Sequence, residues 1–250
     1  MGLMYFTYNG QNIKDLGFAL KDKPSYAVPS RDISFLNVIG RDGDVVIDNG
    51  RFENVPTTYD IFSIPSRVVG NDCDLIHKLI YKLTPTDSKY QKLYDDYNPG
   101  YFTHAICTKV SKISNPYKNL ISCSVTFNRI PYWYSDLGQK LIVFSPIAEN
   151  NTYEIFNPEF YNAYPIIRIY GNNSAKISMY INGTHYIITS IDTYVEINCE
   201  TGNTYNDTGN LNSHVNFDYA PYFKPGKNTI KIGGMSNITK IEIIPRWRRL

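Results

Sequence analysis

Apolar and polar residues alternate along most of this chain, and Gly, Pro and Asn-Gly interrupt the alternation at short intervals. A period of two bounded by such residues predicts strands joined by tight turns. Tyr5-Phe6-Thr7-Tyr8 followed by Asn9-Gly10 predicts a strand entering a type I′ hairpin turn. Phe18-Ala19-Leu20 and Ile33-Ser34-Phe35-Leu36 read as short strands, with Pro24 and Pro29 between them. Gly40-Arg41-Asp42-Gly43 is a glycine-bounded polar loop. It leads into a short strand at Val45-Val46-Ile47 and then into a second turn expected at Asn49-Gly50. Residues 59–64 alternate as a half-buried strand should.

Residues 71–97 leave the β pattern. Leu75, Ile76, Leu79, Ile80 and Leu83 form one apolar stripe, which predicts an amphipathic helix over 72–83, capped by Asn71 or Asp72 and stopped by Pro85. Tyr90, Leu93, Tyr94 and Tyr97 predict a shorter helical turn ending at Asn98-Pro99-Gly100. Strands resume over 102–113 and 120–127, and residues 128–138 read as the exit from a first domain. Beyond it, 165–170 is an apolar strand. Residues 176–181, the Asn182-Gly183 turn and 184–190 make the clearest hairpin in the sequence. A strand over 195–199 precedes a polar loop of about 20 residues, Thr201 to Tyr222, before strands over 229–232 and 238–244. Short strands without interposed helices predict a β-sandwich or jelly roll. The expected chain is therefore mainly β: a β-rich domain with one helix over 1–140, and a sandwich over 141–250. The last strand, 241–250, is a candidate to return to the first domain.

Composition supports this reading. Of 250 residues, 22 are Tyr, 30 are Ile and 25 are Asn, which favours strands and turns over helices. Net charge is +2, and neither half is enriched in one sign, with 16 basic against 14 acidic residues over 1–140 and 9 against 9 over 141–250. That balance argues against a protein that grips nucleic acid through its phosphates. No apolar run approaches the ~18 residues a membrane span needs, so no membrane insertion is expected. The N-terminal residues lack the basic and apolar regions of a secretory signal.

Catalytic and metal chemistry find little support. Cys73, Cys107, Cys123 and Cys199 are far apart, as are His77, His104, His185 and His214, so spacing gives no zinc site and no disulfide framework. The four cysteines are expected as buried or half-buried thiols. Gly40-Arg41-Asp42-Gly43 is neither GxGxxG nor a Walker loop, so it is read as a charged loop suited to a subunit contact, where Arg pairs well with carboxylates. Glu196 and Glu200 are too far apart along one strand to act as a glycosidase pair. GxSxG and HExxH are absent. No catalytic residue, cofactor or metal is expected. Tyr205, Tyr219 and Tyr222 stand in the long polar stretch and are candidate contacts for a partner or a glycan. A protein partner is favoured over a sugar, because no compact site of aromatics with carboxamides is visible in the sequence.

Taken in order, several of these segments resemble one family. The run from Asn37 through Gly40-Arg41-Asp42-Gly43-Asp44 to Val55 is similar to the N-terminal signature of the distal tail protein of siphophages, the phage tail component family. Residues 90–101, Phe127-Asn128-Arg129-Ile130-Pro131-Tyr132, Asn157-Pro158 with 165–171, Pro225-Gly226-Lys227-Asn228 and Pro245-Arg246-Trp247-Arg248 complete the resemblance over nearly the whole chain. Tyr81 stands near the helix end, where the family carries a Trp. The resemblance implies a non-enzymatic virion protein of the tail tip, assembled in the bacterial cytoplasm. Its first domain would form a homohexameric ring, and its second would be a galectin-like or carbohydrate-module-like sandwich. The implied partners are the tail tube protein and the tail-associated lysin, tail fibre or receptor-binding protein, with DNA passing through without specific binding. The rival reading is a free carbohydrate-binding adhesion module that recognises a host cell-wall glycan.

Overall fold

A computed structural model describes residues 2–64, 72–84, 89–117, 120–148, 151–172, 176–217, 219–233 and 238–250. Asn71, one of the two caps expected for the helix, and Pro85, its expected stop, lie outside the described residues; Asp72, the other candidate cap, is the first residue of the helix itself. The chain divides into two compact units, residues 1–133 with Leu250, and residues 134–249.

The first unit is built on one antiparallel sheet. Its strands run in the order Gln11–Asn12, Phe6–Tyr8, Gln91–Asp95, Tyr101–Tyr117, Leu120–Arg129, Val55–Ser63 and Phe18–Leu20. The Asn9-Gly10 turn closes the first hairpin with both residues at positive φ, as a type I′ turn requires. Val55–Ser63 alternates strictly, with Val55, Thr57, Tyr59, Ile61 and Ser63 facing inward. The helix Asp72–Leu83 lays Leu75, Leu79 and Leu83 into the same core as Phe6, Tyr59 and Phe127. Burying each such leucine contributes roughly 1.5–3 kcal/mol. The segment predicted as a helical turn at Tyr90–Tyr97 is instead the strand Gln91–Asp95, paired to Phe6–Tyr8 on one side and to Tyr101–Tyr117 on the other. Tertiary pairing overrides the local spacing there. Asp95 is buried and accepts hydrogen bonds from the hydroxyls of Tyr26 (2.7 Å) and Tyr59 (2.8 Å).

Arg129, almost wholly buried, fixes the chain that leaves this sheet. Its guanidinium donates to Thr57 Oγ1, to the carbonyls of Ile130 and Pro131, and to the carbonyl of Ala27, all at 3.1–3.2 Å. Residues 26–30 are thereby held at the base of a two-stranded hairpin, Arg31–Leu36 paired with Val45–Phe52, which forms a sheet of its own. The turn expected at Asn49-Gly50 is not a turn. The strand runs through it with a register shift opposite Arg31 and Ile33, and Gly50 takes the positive φ of that irregularity.

The second unit is a sandwich of two antiparallel sheets. One orders Ile142–Phe144, Ile238–Ile244, Ile166–Gly171, Tyr194–Asn198, Asn203–Asn206 and Gly209–Asn210. The other orders Thr152–Asn157, Gly226–Gly233, Ile177–Ile181, Thr184–Ile188 and Val215–Asn216. Ile167, Ile169, Val195, Ile197, Ile241 and Ile243 from the first sheet meet Ile177, Met179, Ile181, Ile230 and Ile232 from the second in one core. Ile241 pairs with Ile169 and with Phe144, so Ile238–Ile244 belongs to this sandwich, whereas of the candidate segment 241–250 only Leu250 falls in the first unit. The long polar loop expected from Thr201 to Tyr222 is also structured. Asn203–Asn206 and Gly209–Asn210 extend one sheet, and Val215–Asn216 extends the other. Gly209–Asn210 and Val215–Asn216 are short edge strands, and Asn203–Asn206 lies next to the edge, so these segments bury little apolar surface and stay polar.

Candidate functional site

The first site is the hairpin of the first unit. Its register places Phe35 opposite Val46, and Leu36 opposite Val45, so apolar side chains project from both of its faces. Phe35 is 67% exposed and Val46 is 59% exposed; Ile39, at the tip, is 99% exposed. Near the base the hairpin is held by polar pairs across its strands. Arg31 pairs with Asp48, and Arg51 Nε donates to Asp32 Oδ2 at 2.5 Å. Asn49 donates to the other Asp32 oxygen at 2.8 Å. These donors hold the Asp32 carboxyl below its ordinary range, Asn49 first and Arg51 next. Gly40-Arg41-Asp42-Gly43 forms the tip, where Gly40 and Gly43 both take positive φ. Among the described residues, neither Arg41 nor Asp42 has a side-chain partner, so the tip offers one charge of each sign.

The second site is a cleft of about 430 Å³ in the sandwich, lined by Tyr164, Thr184, Tyr186, Tyr219, Ala220 and Tyr222. Two features of the sequence build it. The Asn182-Gly183 turn, with both residues at positive φ, delivers Thr184 and Tyr186 on the strand that follows. Phe223 and Ala163 exchange backbone hydrogen bonds at 2.9 Å in each direction, which holds the 219–222 wall against Tyr164. The walls are tied together by two carboxamides. Buried Asn228 donates to the carbonyls of Lys224 (2.8 Å) and Gly226 (2.9 Å) and accepts from Lys224 N (2.9 Å). Asn182 donates to Asn228 at 2.8 Å and accepts from Thr229 N at 3.0 Å. Burial raises the Tyr186 hydroxyl above its ordinary range, and Cys199 and the neighbouring Tyr222 add to it.

Tyr219 and Tyr222, chosen from the sequence, therefore meet at one cleft, and Tyr164, together with Thr184 and Tyr186 from the Asn182-Gly183 hairpin, joins them from distant segments. Tyr205 does not join them. It stands on the other sheet, and its hydroxyl donates to Glu196 at 2.5 Å. Glu196 lies in a cross-strand row running Glu242, Arg168, Glu196, Tyr205. Arg168 pairs with Glu196, and the Tyr170 hydroxyl (2.8 Å) and Lys240 (2.8 Å) both donate to Glu242. Lys240, followed by Tyr170, holds the Glu242 carboxyl low. Glu200 is engaged elsewhere, by Tyr134 at 2.8 Å and Arg246 at 3.1 Å. A glycosidase pair needs one carboxyl kept protonated as acid; Glu242 is held in the opposite state, and no carboxylate among the described residues lines the aromatic cleft.

Cysteine and metal chemistry add nothing to either site. Cys107, Cys123 and Cys199 are buried free thiols, and Cys73 is exposed. Burial pushes the Cys107 thiol up to about 11 and the Cys123 thiol to about 12, which suppresses the reactive thiolate. No group of three metal-ligating side chains occurs among the described residues, and no helix among them is long and apolar enough to cross a membrane.

No protein-family model matches the sequence, and no curated protein matches it. Solved structures do. The Dit protein of phage SPP1, described as a paradigm of the hub adsorption apparatus in phages that infect Gram-positive hosts, matches with a TM-score of 0.72. The match covers 100% of both chains at 12% identity. BuGH86 in complex with neoagarooctaose covers 72% of this chain and 39% of its own at 14% identity, and its TM-score of 0.22 carries no argument. From end to end, then, this chain has the fold of a phage distal tail protein.

Proposed function

We propose that this chain is a structural protein of a phage tail tip. Six copies close into a ring that joins the tail tube to the tail-associated lysin, tail fibre or receptor-binding protein, and DNA passes through it. The observation that carries this reading is the whole-length likeness to the SPP1 Dit protein, a hub protein of an adsorption apparatus. The exposed apolar hairpin supports the ring. A lone two-stranded hairpin is marginal in water, and one with large apolar side chains on both faces needs a covering surface. Homo-oligomers are usually closed and symmetric, so the cover is a neighbouring copy. Arg41 and Asp42 at the hairpin tip, without side-chain partners among the described residues, give that contact one charge of each sign. The near-neutral net charge of +2 suits a passage through which a duplex moves without sticking.

The test is localisation. Antibodies raised against the protein should decorate the tail tip of intact virions in negative-stain electron microscopy. Virions that bind no antibody at the tip, or bind it along the tube or on the capsid, contradict the reading.

A further inference from the structure

The geometry points to the Tyr164–Tyr222 cleft of the second unit as a binding site for a neutral saccharide. This inference is independent of the ring and of the hairpin that supports it.

Three properties of the cleft select this ligand. The first is its polar chemistry. The hydroxyls of Tyr164, Tyr219 and Tyr222 have no hydrogen-bond partner among the described residues, and the Thr184 hydroxyl stands on the same wall. A hydroxyl both donates and accepts, which is the pattern a sugar ring presents at each carbon that bears an oxygen. An extended proline-rich segment offers carbonyls that only accept, and would use half of this capacity.

The second property is the stacking surface. Tyr219 is 82% exposed, although it lines a cleft. One face of Tyr164 is already taken by the Arg248 guanidinium, 4.7 Å from the ring centre, and its ring lies 6.2 Å from that of Tyr222 at 52°. The Tyr164–Tyr222 pair thus forms a fixed floor, and Tyr219 supplies the free aromatic face on which a pyranose can lie.

The third property is charge. No charged side chain among the described residues lines the cleft, and the nearby Arg248 is engaged by the Asn162 carbonyl at 2.7 Å. A uronate, sialate or phosphorylated sugar would lose hydration without gaining a partner. The volume, about 430 Å³, falls in the range of small-ligand sites, and the Asn182–Asn228 lock holds both walls before a ligand arrives.

The experiment uses the full-length protein on an array of neutral hexose and N-acetylhexosamine oligosaccharides, with uronate- and phosphate-bearing glycans on the same slide. The best neutral binder is then titrated by calorimetry, alongside a proline decamer. Saturable binding to a neutral oligosaccharide is expected. Tyr219→Ala, at an exposed position that leaves the fold intact, should weaken it about tenfold, the loss of roughly one aromatic stacking contact. Thr184→Val, close to isosteric, should weaken it severalfold, whereas Tyr205→Ala on the other sheet should leave it unchanged. The inference is overturned if no neutral glycan binds at millimolar concentration, or if anionic glycans bind better. It is also overturned if the proline decamer competes at the same tyrosines with higher affinity, or if Tyr219→Ala has no effect.

Discussion

Two hairpins in this molecule have similar sequences and different surroundings. Ile177–Ile181 with Thr184–Ile188 sits inside a five-stranded sheet, and its inner residues, Ile177, Met179, Ile181 and Ile188, are buried in the sandwich core. Arg31–Leu36 with Val45–Phe52 forms a sheet of two strands, and its Phe35, Leu36, Val46 and Ile47 face solvent. Both carry apolar residues, alternating along Ile177–Ile181 and consecutive at Phe35-Leu36 and Val45-Val46-Ile47. One has its second layer within the chain, and the other has none among the described residues. The difference teaches that apolar periodicity marks a surface to be covered without saying which chain supplies the cover.

The comparison gives its largest effect in the cores. Ile181→Ala removes a fully buried side chain and should cost about 2–5 kcal/mol of unfolding free energy, read by urea denaturation. Val46→Ala in the exposed hairpin should cost less than about 0.5 kcal/mol in the dissociated protomer. Equal costs would mean that the exposed hairpin is packed within its own chain.

Polar locks sharpen the contrast at a smaller scale. Asn228→Ala breaks four hydrogen bonds around a buried carboxamide and strands several backbone groups, so it should cost about 2–3 kcal/mol and loosen the aromatic cleft. Asn49→Ala removes the bond to Asp32 in the hairpin, where water replaces it, and should change stability by no more than a few tenths of a kcal/mol. Thermal unfolding of both variants in the same buffer gives the comparison.

The smallest effect is electrostatic. The Glu242 carboxyl is held below its ordinary value of 4.5 by Lys240 and Tyr170. A depressed carboxyl stabilises the fold above its unfolded pKa, and that contribution is lost as pH falls through the folded value. Unfolding temperature should therefore drop on acidification below about pH 4.5, and Glu242→Gln should flatten that acid limb while lowering stability at neutral pH. A wild-type acid limb that survives the substitution unchanged would remove Glu242 from the account.

Much of the fold is legible in the sequence, for reasons that belong to particular residues. Asn9-Gly10 and Asn182-Gly183 announce their turns because few other dipeptides take two positive φ angles at low cost. Leu75, Leu79 and Leu83 announce the helix through their spacing. Tyr90, Leu93, Tyr94 and Tyr97 mislead because their helical spacing is overridden by pairing, on one side with Tyr101–Tyr117 and on the other with Phe6–Tyr8, which lies 85–89 residues away in sequence. Asn49-Gly50 misleads because the dipeptide suits a bulge as well as a turn. Of the candidate tyrosines, Tyr219 and Tyr222 reach the cleft, whereas Tyr205 is engaged by Glu196, a distinction made by which sheet each segment joins. Tyr164 is one aromatic among many in the second half and Thr184 merely follows a turn, and only the meeting of two distant segments makes them part of a site.

The central claim is that a second copy covers the exposed hairpin. Light scattering across a concentration series measures this directly, on the wild type and on a variant carrying Phe35→Ser and Ile39→Asp. The account predicts a wild-type assembly of six 28.7 kDa copies, about 172 kDa, and a variant that remains a folded monomer with an unchanged circular dichroism spectrum. A wild type that stays monomeric at every concentration, or a variant that still assembles sixfold, would contradict it.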